Sequence, residues 1–102
     1  MLVLPIKKKW FDMIKSGEKK EEYREIKPYY DSRFKNIYYP LGGKQPDIIL
    51  RNGYSKNSLS IKCKVVIIKG YGKPEWGAEP NKLYYVLKIL SMEEIWKVIM
   101  KY

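Results

Sequence analysis

Three charged side chains in one short segment have the types and spacing for polar chemistry: Lys19, Glu22 and Arg24. In a regular strand, Glu22 and Arg24 are two residues apart and share a face. The carboxylate would then orient the guanidinium through a charge-assisted hydrogen bond. Lys19, on the turn at the mouth of such a site, would offer an amine for proton transfer. The alternative is a solvated row of ion pairs, which spacing alone favours because such pairs are common and contribute little to stability.

The elements on either side of this segment would hold it in place. Apolar residues at helical spacing, among them Phe11 and Ile14, predict a first helix over about 7–16. Gly17 follows, where the C-terminal cap of a helix favours a residue with positive φ. The loosely alternating stretch 20–26 predicts a strand with one polar face. The three charged residues therefore lie where a helix passes into a strand.

The rest of the chain predicts more strands, separated by turns rich in glycine and proline. Pro28 is placed to begin a short helical turn. Ser91 and Glu94 fit a capping box, which predicts a C-terminal helix over about 92–101. We expect a single domain over 1–102, of the α+β class, with a small mixed β-barrel and flanking helices. The other predicted strands cover 1–6, 47–51, 58–70 and 83–90.

The chain is strongly basic, with a formal net charge of +10 over 102 residues. A charge of this size attracts polyanions, so nucleic acid, acidic lipid or a phosphorylated small molecule are the expected partners. The alternative is that the lysines serve solubility. Ten tyrosines and three tryptophans favour recognition, since aromatic rings among cations suit base stacking with phosphate contact. The same rings would also suit the core of a small barrel.

Two later groups of residues extend the possible binding surface. Arg51, Asn52 and Tyr54 surround a turn at the end of a predicted strand, where Tyr54 offers a ring for stacking, although a simple hairpin turn is the alternative. Lys62 and Lys64 share one face of the next predicted strand, in a stretch without acidic residues. We interpret these lysines as phosphate contacts that add affinity without sequence choice. The alternative is a solvated face whose lysines block edge pairing.

The absence of histidine and the single cysteine, Cys63, limit the chemistry that is available. No Ser-His or Cys-His dyad can form, and a metal cofactor is disfavoured, although carboxylate-bound magnesium stays open. We predict no cofactor. Cys63 lies in an apolar stretch and is expected to be buried in a strand. No stretch is apolar enough to span a membrane, and residues 1–9 have the reverse of the charge pattern of a secretory signal, so we expect a cytoplasmic protein without a membrane partner. We also expect a monomer.

The segment 17–24 resembles the signature of the ASCH domain family (the activating signal cointegrator homology domain), Gly-x-Lys-x-x-Glu-x-Arg. Gly17, Lys19, Glu22 and Arg24 occupy its four defined positions. The preceding helix is similar to the first helix of that family, which also runs directly into the signature. Three later segments are similar to a subgroup of small bacterial and phage members, so the resemblance covers nearly the whole chain: 51–54, 75–80 and 84–87.

This resemblance implies a PUA-like barrel whose cleft binds RNA or a nucleotide-like ligand. Some relatives are enzymes, one type an amidohydrolase of acetylated cytidine and another a ribonuclease. In the amidohydrolase type a lysine and a nearby threonine of the signature act with a glutamate elsewhere. Lys19 matches that lysine, but Glu22 stands at the threonine position, which argues against this activity. The segment around Trp76 is expected to plug the end of the barrel, with a pocket wall as the alternative.

Three hypotheses follow. In the first, the protein binds RNA or a modified nucleotide. Lys19 and Arg24 contact phosphate or base edges, and Glu22 orients Arg24 or accepts a hydrogen bond from a base amino group. In the second, it is an enzyme acting on RNA or a nucleoside, with Lys19 and Glu22 as the proton-transfer pair. In the third, it is an interaction domain for partners other than nucleic acid.

Overall fold

The computed structural model describes residues 1–55 and 57–95, including the side chains of all of these except 94 and 95. Strands and helices alternate in the first third of this region, and strands follow. Short 3-10 helices at Tyr39–Leu41 and Pro74–Trp76 lie in the connections. The elements in chain order are β1 (Val3–Ile6), α1 (Lys8–Lys15), β2 (Glu21–Glu25), α2 (Pro28–Phe34), β3 (Asp47–Asn52), β4 (Ser60–Tyr71) and β5 (Leu83–Ile95).

Both helices form where the sequence predicts them. In α1, Phe11 and Ile14 are buried on one face, as their spacing requires. In α2, Pro28 occupies the first turn, where its missing N–H costs nothing, and Phe34 is buried at the other end. The predicted helix over 7–16 and the helical turn begun by Pro28 are therefore confirmed.

One five-stranded mixed sheet, in the order β1-β3-β4-β5-β2, organises the molecule. β1 pairs in parallel with β3, and the other neighbours are antiparallel. Alternate residues of the central strands point into the core, as in the buried series Ile61, Cys63, Val65 and Ile67 of β4. The α+β class is confirmed, and the helices pack against this apolar face.

The predicted closed barrel is not confirmed, because the sheet is open between β1 and β2. A side chain spans the two edge strands instead: Arg24 Nη2 in β2 donates a hydrogen bond of 2.8 Å to the Pro5 carbonyl in β1. The opening between these strands is therefore narrow, and polar side chains lie along it.

The predicted start of a C-terminal helix near residue 92 is wrong for the residues that the structure describes. Ser91–Ile95 continue β5 and pair with β4, with Ser91 opposite Lys64 and Ile95 opposite Ser60. A bulge at Leu90 resets the register. The long β4 presents backbone groups that need partners, and this pairing overrides the local capping signal. The rest of the predicted helix, 96–101, lies outside the described residues.

A hydrogen bond joins α2 to the sheet: Tyr85 Oη in β5 donates to Asp31 Oδ1 in α2 at 2.5 Å. Burial, together with the Asp31 carboxylate, raises the pKa of Tyr85 to about 12. The side chain also packs edge-on against Phe34, with ring centroids 4.9 Å apart. This contact fixes the helix that carries Tyr30 near the sheet opening.

This raised pKa makes stability sensitive to alkaline pH. In the unfolded chain Tyr85 ionises near pH 10, whereas in the fold it stays protonated to about pH 12. Its contribution is therefore complete below pH 10 and is lost as the pH rises towards 12. We expect the free energy of unfolding, measured with denaturant, to fall less steeply across this window in Tyr85→Phe than in the wild type. Equal slopes would contradict this account of Tyr85.

Candidate functional site

Lys19, Glu22 and Arg24 form one buried ionic cluster, which we call the ionic triad. Glu22 Oε1 lies 3.3 Å from Lys19 Nζ, and Glu22 Oε2 accepts a hydrogen bond of 2.9 Å from Arg24 Nη2. The side chains of Lys19, Glu22 and Arg24 are 1%, 9% and 12% exposed. The alternative of a solvated row of surface ion pairs is therefore wrong. One carboxylate balances two cations that have lost most of their water.

Strand register and a glycine turn place the triad. Glu22 and Arg24 lie opposite Leu87 and Tyr85 of β5, which are both buried, so this face of β2 points to the core. Gly17 has a φ of +88°, which lets the chain reverse after α1. The predicted shared face of Glu22 and Arg24 is confirmed.

Lys19 lies behind the site and not at its mouth, contrary to the sequence-based expectation. Its Nζ donates a hydrogen bond of 2.7 Å to the Trp76 carbonyl, and it lies 5.2 Å from the centroid of the Trp10 ring and 4.8 Å from that of Tyr23. Burial lowers the pKa of Lys19, although the Glu22 carboxylate acts in the opposite direction. The Lys19 amine therefore contacts the Glu22 carboxylate from the side of the protein interior.

Arg24 lies at the sheet opening and is held there by several hydrogen bonds. Its guanidinium donates to the Tyr30 hydroxyl at 3.0 Å as well as to Pro5 and Glu22. Burial alone would lower the pKa of Arg24, but Glu22 and Tyr30 outweigh it and raise the pKa. Arg24 Nε is buried and has no hydrogen-bond partner among the described residues. The guanidinium is thus fixed in orientation and permanently charged.

A groove with a volume of about 520 Å³ lies at this opening. Its floor contains Glu22 and Arg24, and its walls come from the end of β1, the start of α1 and the turn after β3. Aromatic rings line it on several sides: Trp10, Tyr23, Tyr30, Tyr54 and Tyr84. The volume falls within the usual range for small-molecule sites.

Charges of both signs surround the groove, with cations in excess. Lys7, Lys8 and Lys27 line it together with Arg24, against the carboxylates of Glu22 and Glu25. Lys8 Nζ is paired with Asp12 at 2.6 Å, and Lys27 Nζ with Glu25 at 3.3 Å. Glu22 itself is paired with Lys19 and Arg24. The groove therefore combines aromatic rings with a lining in which cations outnumber carboxylates.

The structure brings some of the predicted site residues together and separates others. Asn52 and Tyr54 line the groove, and Tyr54 is almost fully exposed. Arg51 does not line it: the alternation of β3 places Arg51 on the face opposite buried Leu50. Its Nε is buried and meets no hydrogen-bond partner within the described residues.

Lys62 and Lys64 share the outer face of β4, as predicted, but that face is away from the groove. Each has an acidic neighbour from an adjacent strand. Lys62 Nζ lies 3.7 Å from Glu93, and Lys64 Nζ lies 3.3 Å from Asp47. These contacts agree with a solvated face of ion pairs more closely than with a continuation of the site.

Several groove residues did not stand out in the sequence. Tyr30 and Lys27 follow β2 directly, and their aromatic and basic types were the available signal. The Pro5 carbonyl carries no such signal, because any residue has one. Trp10 lines the groove and also touches Lys19, so it serves more than the predicted inner face of α1.

The Trp76 segment packs against the triad from the side away from the groove. Gly77 has a φ of +102°, and a Cβ there would lie 3.1 Å from the Trp10 ring. This close approach brings the Trp76 carbonyl to Lys19. Neither residue lines the groove, so the segment supports the site from behind.

The remaining reactive groups offer little chemistry. Cys63 is buried as predicted, and burial raises the pKa of its thiol to about 12, so it is no nucleophile near neutral pH. Over residues 1–55 and 57–95, no cluster of acidic and cysteine side chains is arranged to hold a metal ion. Within the same residues, no helix has the length and hydropathy needed to cross a membrane.

A scan against protein-family models, a search of curated proteins and a search of solved structures returned no match to this chain.

Proposed function

We propose that the protein binds RNA or a nucleotide-like ligand in the groove between β1 and β2. The observation that carries this proposal is the fixed guanidinium of Arg24 on the floor of a cavity walled by aromatic rings. A base would stack on a ring, and a phosphate would meet the flanking lysines. The excess of cations over the whole chain would add long-range attraction.

Membership of the ASCH family, with its PUA-like barrel architecture, belongs to the same proposal. Its support is the signature formed by Gly17, Lys19, Glu22 and Arg24, three of which make the ionic triad. Further support is the way Arg24 links the two edge strands, where a barrel would close. A cytoplasmic location is part of this proposal too, since the single cysteine is buried and unpaired.

A second candidate function is catalysis on RNA or a nucleoside. It rests on the 3.3 Å contact between Lys19 Nζ and Glu22 Oε1, together with the lowered pKa of Lys19. An amine and a carboxylate at this distance suit proton transfer. Of these two residues, Glu22 lines the groove and would face the substrate. Lys19 would control the charge of the Glu22 carboxylate.

Fluorescence anisotropy with a short labelled RNA across a salt series tests the proposal, and Lys27→Gln is the informative variant. Lys27 lines the groove with its side chain 49% exposed. Losing one phosphate contact should weaken binding to every RNA sequence. It should also reduce the magnitude of the slope of log affinity against log salt concentration by about 0.7.

Lys88→Gln is the matched control. Lys88 is also 49% exposed and has a carboxylate, that of Glu21, within 3.8 Å, but it lies outside the groove. If both variants lose the same affinity, only bulk charge acts and the proposal fails. Failure of the wild type to bind RNA or free nucleotides would favour a non-nucleic-acid interaction domain. Cleaved RNA on a denaturing gel would favour the catalytic candidate.

A further inference from the structure

A second cavity adjoins the groove, and we call it the side cavity. Its volume is about 250 Å³, and the two cavities share a wall built by Pro5, Arg24, Lys27, Tyr30 and Tyr54. The groove and the side cavity are therefore neighbouring compartments of one opening. Arg24 and Lys27, both cationic, stand at their boundary.

The far wall of the side cavity is a stacked pair on α2. The Arg33 guanidinium lies 3.4 Å from the centroid of the Tyr29 ring, and Arg33 Nη1 donates a hydrogen bond of 3.0 Å to the Tyr29 carbonyl. The Tyr29 ring also meets Tyr30 edge-on, with centroids 4.9 Å apart. Both residues of the stacked pair are exposed to solvent. The contacts hold two planar groups in place, and an exposed planar group suits stacking of a base.

We propose that the ligand is a single-stranded oligonucleotide that places one base in the groove and a neighbouring base in the side cavity, on the Tyr29–Arg33 pair. The phosphate between the two nucleotides would lie at the shared wall, beside Lys27 and Arg24. This inference rests on the proposed function. It restricts the expected ligand from any nucleotide to a single strand of at least two nucleotides.

The geometry supports both the length of the proposed ligand, at least two nucleotides, and its being single-stranded. Two adjoining cavities with Arg24 and Lys27 at their shared wall have the order of groups found in a polynucleotide, in which planar bases alternate with phosphates. A free nucleotide would occupy one cavity and leave the Tyr29–Arg33 pair unused. A base in either cavity must be unstacked from its neighbours, so a paired duplex would not fit.

The test compares the affinities of three probes: a mononucleotide, the corresponding dinucleotide and a longer oligouridylate. Each probe is used in its ribose and its deoxyribose form. Occupancy of the second cavity should make the dinucleotide bind on the order of tenfold tighter than the mononucleotide. In Tyr29→Ala this ratio should fall towards one. Arg33→Gln, which keeps the Tyr29 ring, should reduce the ratio partly. Tyr71→Ala, which removes an exposed tyrosine outside both cavities, should keep the full ratio.

Each outcome separates this inference from the proposed function. If the mononucleotide and dinucleotide bind equally to the wild type, the inference is wrong while the groove remains a nucleotide site. If Tyr29→Ala keeps the full ratio, the second base lies elsewhere and the inference is also wrong. If duplex RNA competes as well as the single strand, the inference is overturned. If none of the probes binds, the proposed function fails first.

Discussion

Glu22→Gln should lower the free energy of unfolding by about 3–5 kcal/mol, the usual cost of removing one partner from a buried ion pair. The wild-type carboxylate accepts from Arg24 at 2.9 Å and lies 3.3 Å from Lys19. The amide that replaces it has the same shape but no charge. Two largely desolvated cations would then face each other without compensation. A loss of this size is a large fraction of the stability of a typical domain.

Denaturant unfolding of the purified variants measures this effect, and Glu25→Gln is its control. Glu25 is also in β2 and also contacts two cations, Lys27 and Lys82, but it is exposed to solvent. Its replacement should change stability far less, because exposed pairs are screened by water.

A double variant, Glu22→Gln with Lys19→Met, separates the ionic effect from side-chain packing. Because Met fills much of the same space without a charge, the second change should recover part of the loss. Equal effects of Glu22→Gln and Glu25→Gln would show that the ionic triad does not stabilise the fold.

Tyr54→Ala should weaken RNA binding by roughly fivefold to 140-fold, the effect of losing about 1–3 kcal/mol of base stacking. Tyr54 is 88% exposed and lines both cavities. An exposed ring at this position contributes little to the core, so the fold should keep its stability.

Tyr71→Ala is the matched control for this prediction. Tyr71, the last residue of β4, is 67% exposed but lines neither cavity. Anisotropy titrations of both variants, with thermal unfolding of each, distinguish a specific stacking surface from a general loss of aromatic area. Similar affinities for Tyr54→Ala and the wild type would remove Tyr54 from the proposed site.

Sequence patterns predicted the local elements well because those elements depend on near neighbours. The apolar spacing of α1 and the position of Pro28 in α2 are local signals, and both helices formed. The end of β5 was mistaken for a helix, since Ser91 and Glu94 give a local cap signal while the pairing with β4 depends on residues about thirty positions away. Long-range pairing decided that element.

The candidate site also has some features that local patterns predict and others that depend on distant residues. The shared face of Glu22 and Arg24 follows from strand alternation, so the sequence could predict it. The burial of Lys19 depends on the Trp76 carbonyl, 57 residues away in the chain, and no local pattern contains it. The acidic partners of Lys62 and Lys64 likewise come from neighbouring strands. A stretch without acidic residues therefore did not amount to a free basic surface.

The central claim is that the opening between β1 and β2 is the binding site. The most direct test is NMR mapping of amide chemical shifts during titration with a short RNA. We predict that the largest shifts fall on the residues around the two cavities, namely those at the end of β1, in β2, in α2 and in the turn from Asn52 to Tyr54. Shifts confined to the outer face that carries Lys62, Lys64 and Lys88 would contradict the claim, and would assign the binding to the charge of the opposite surface.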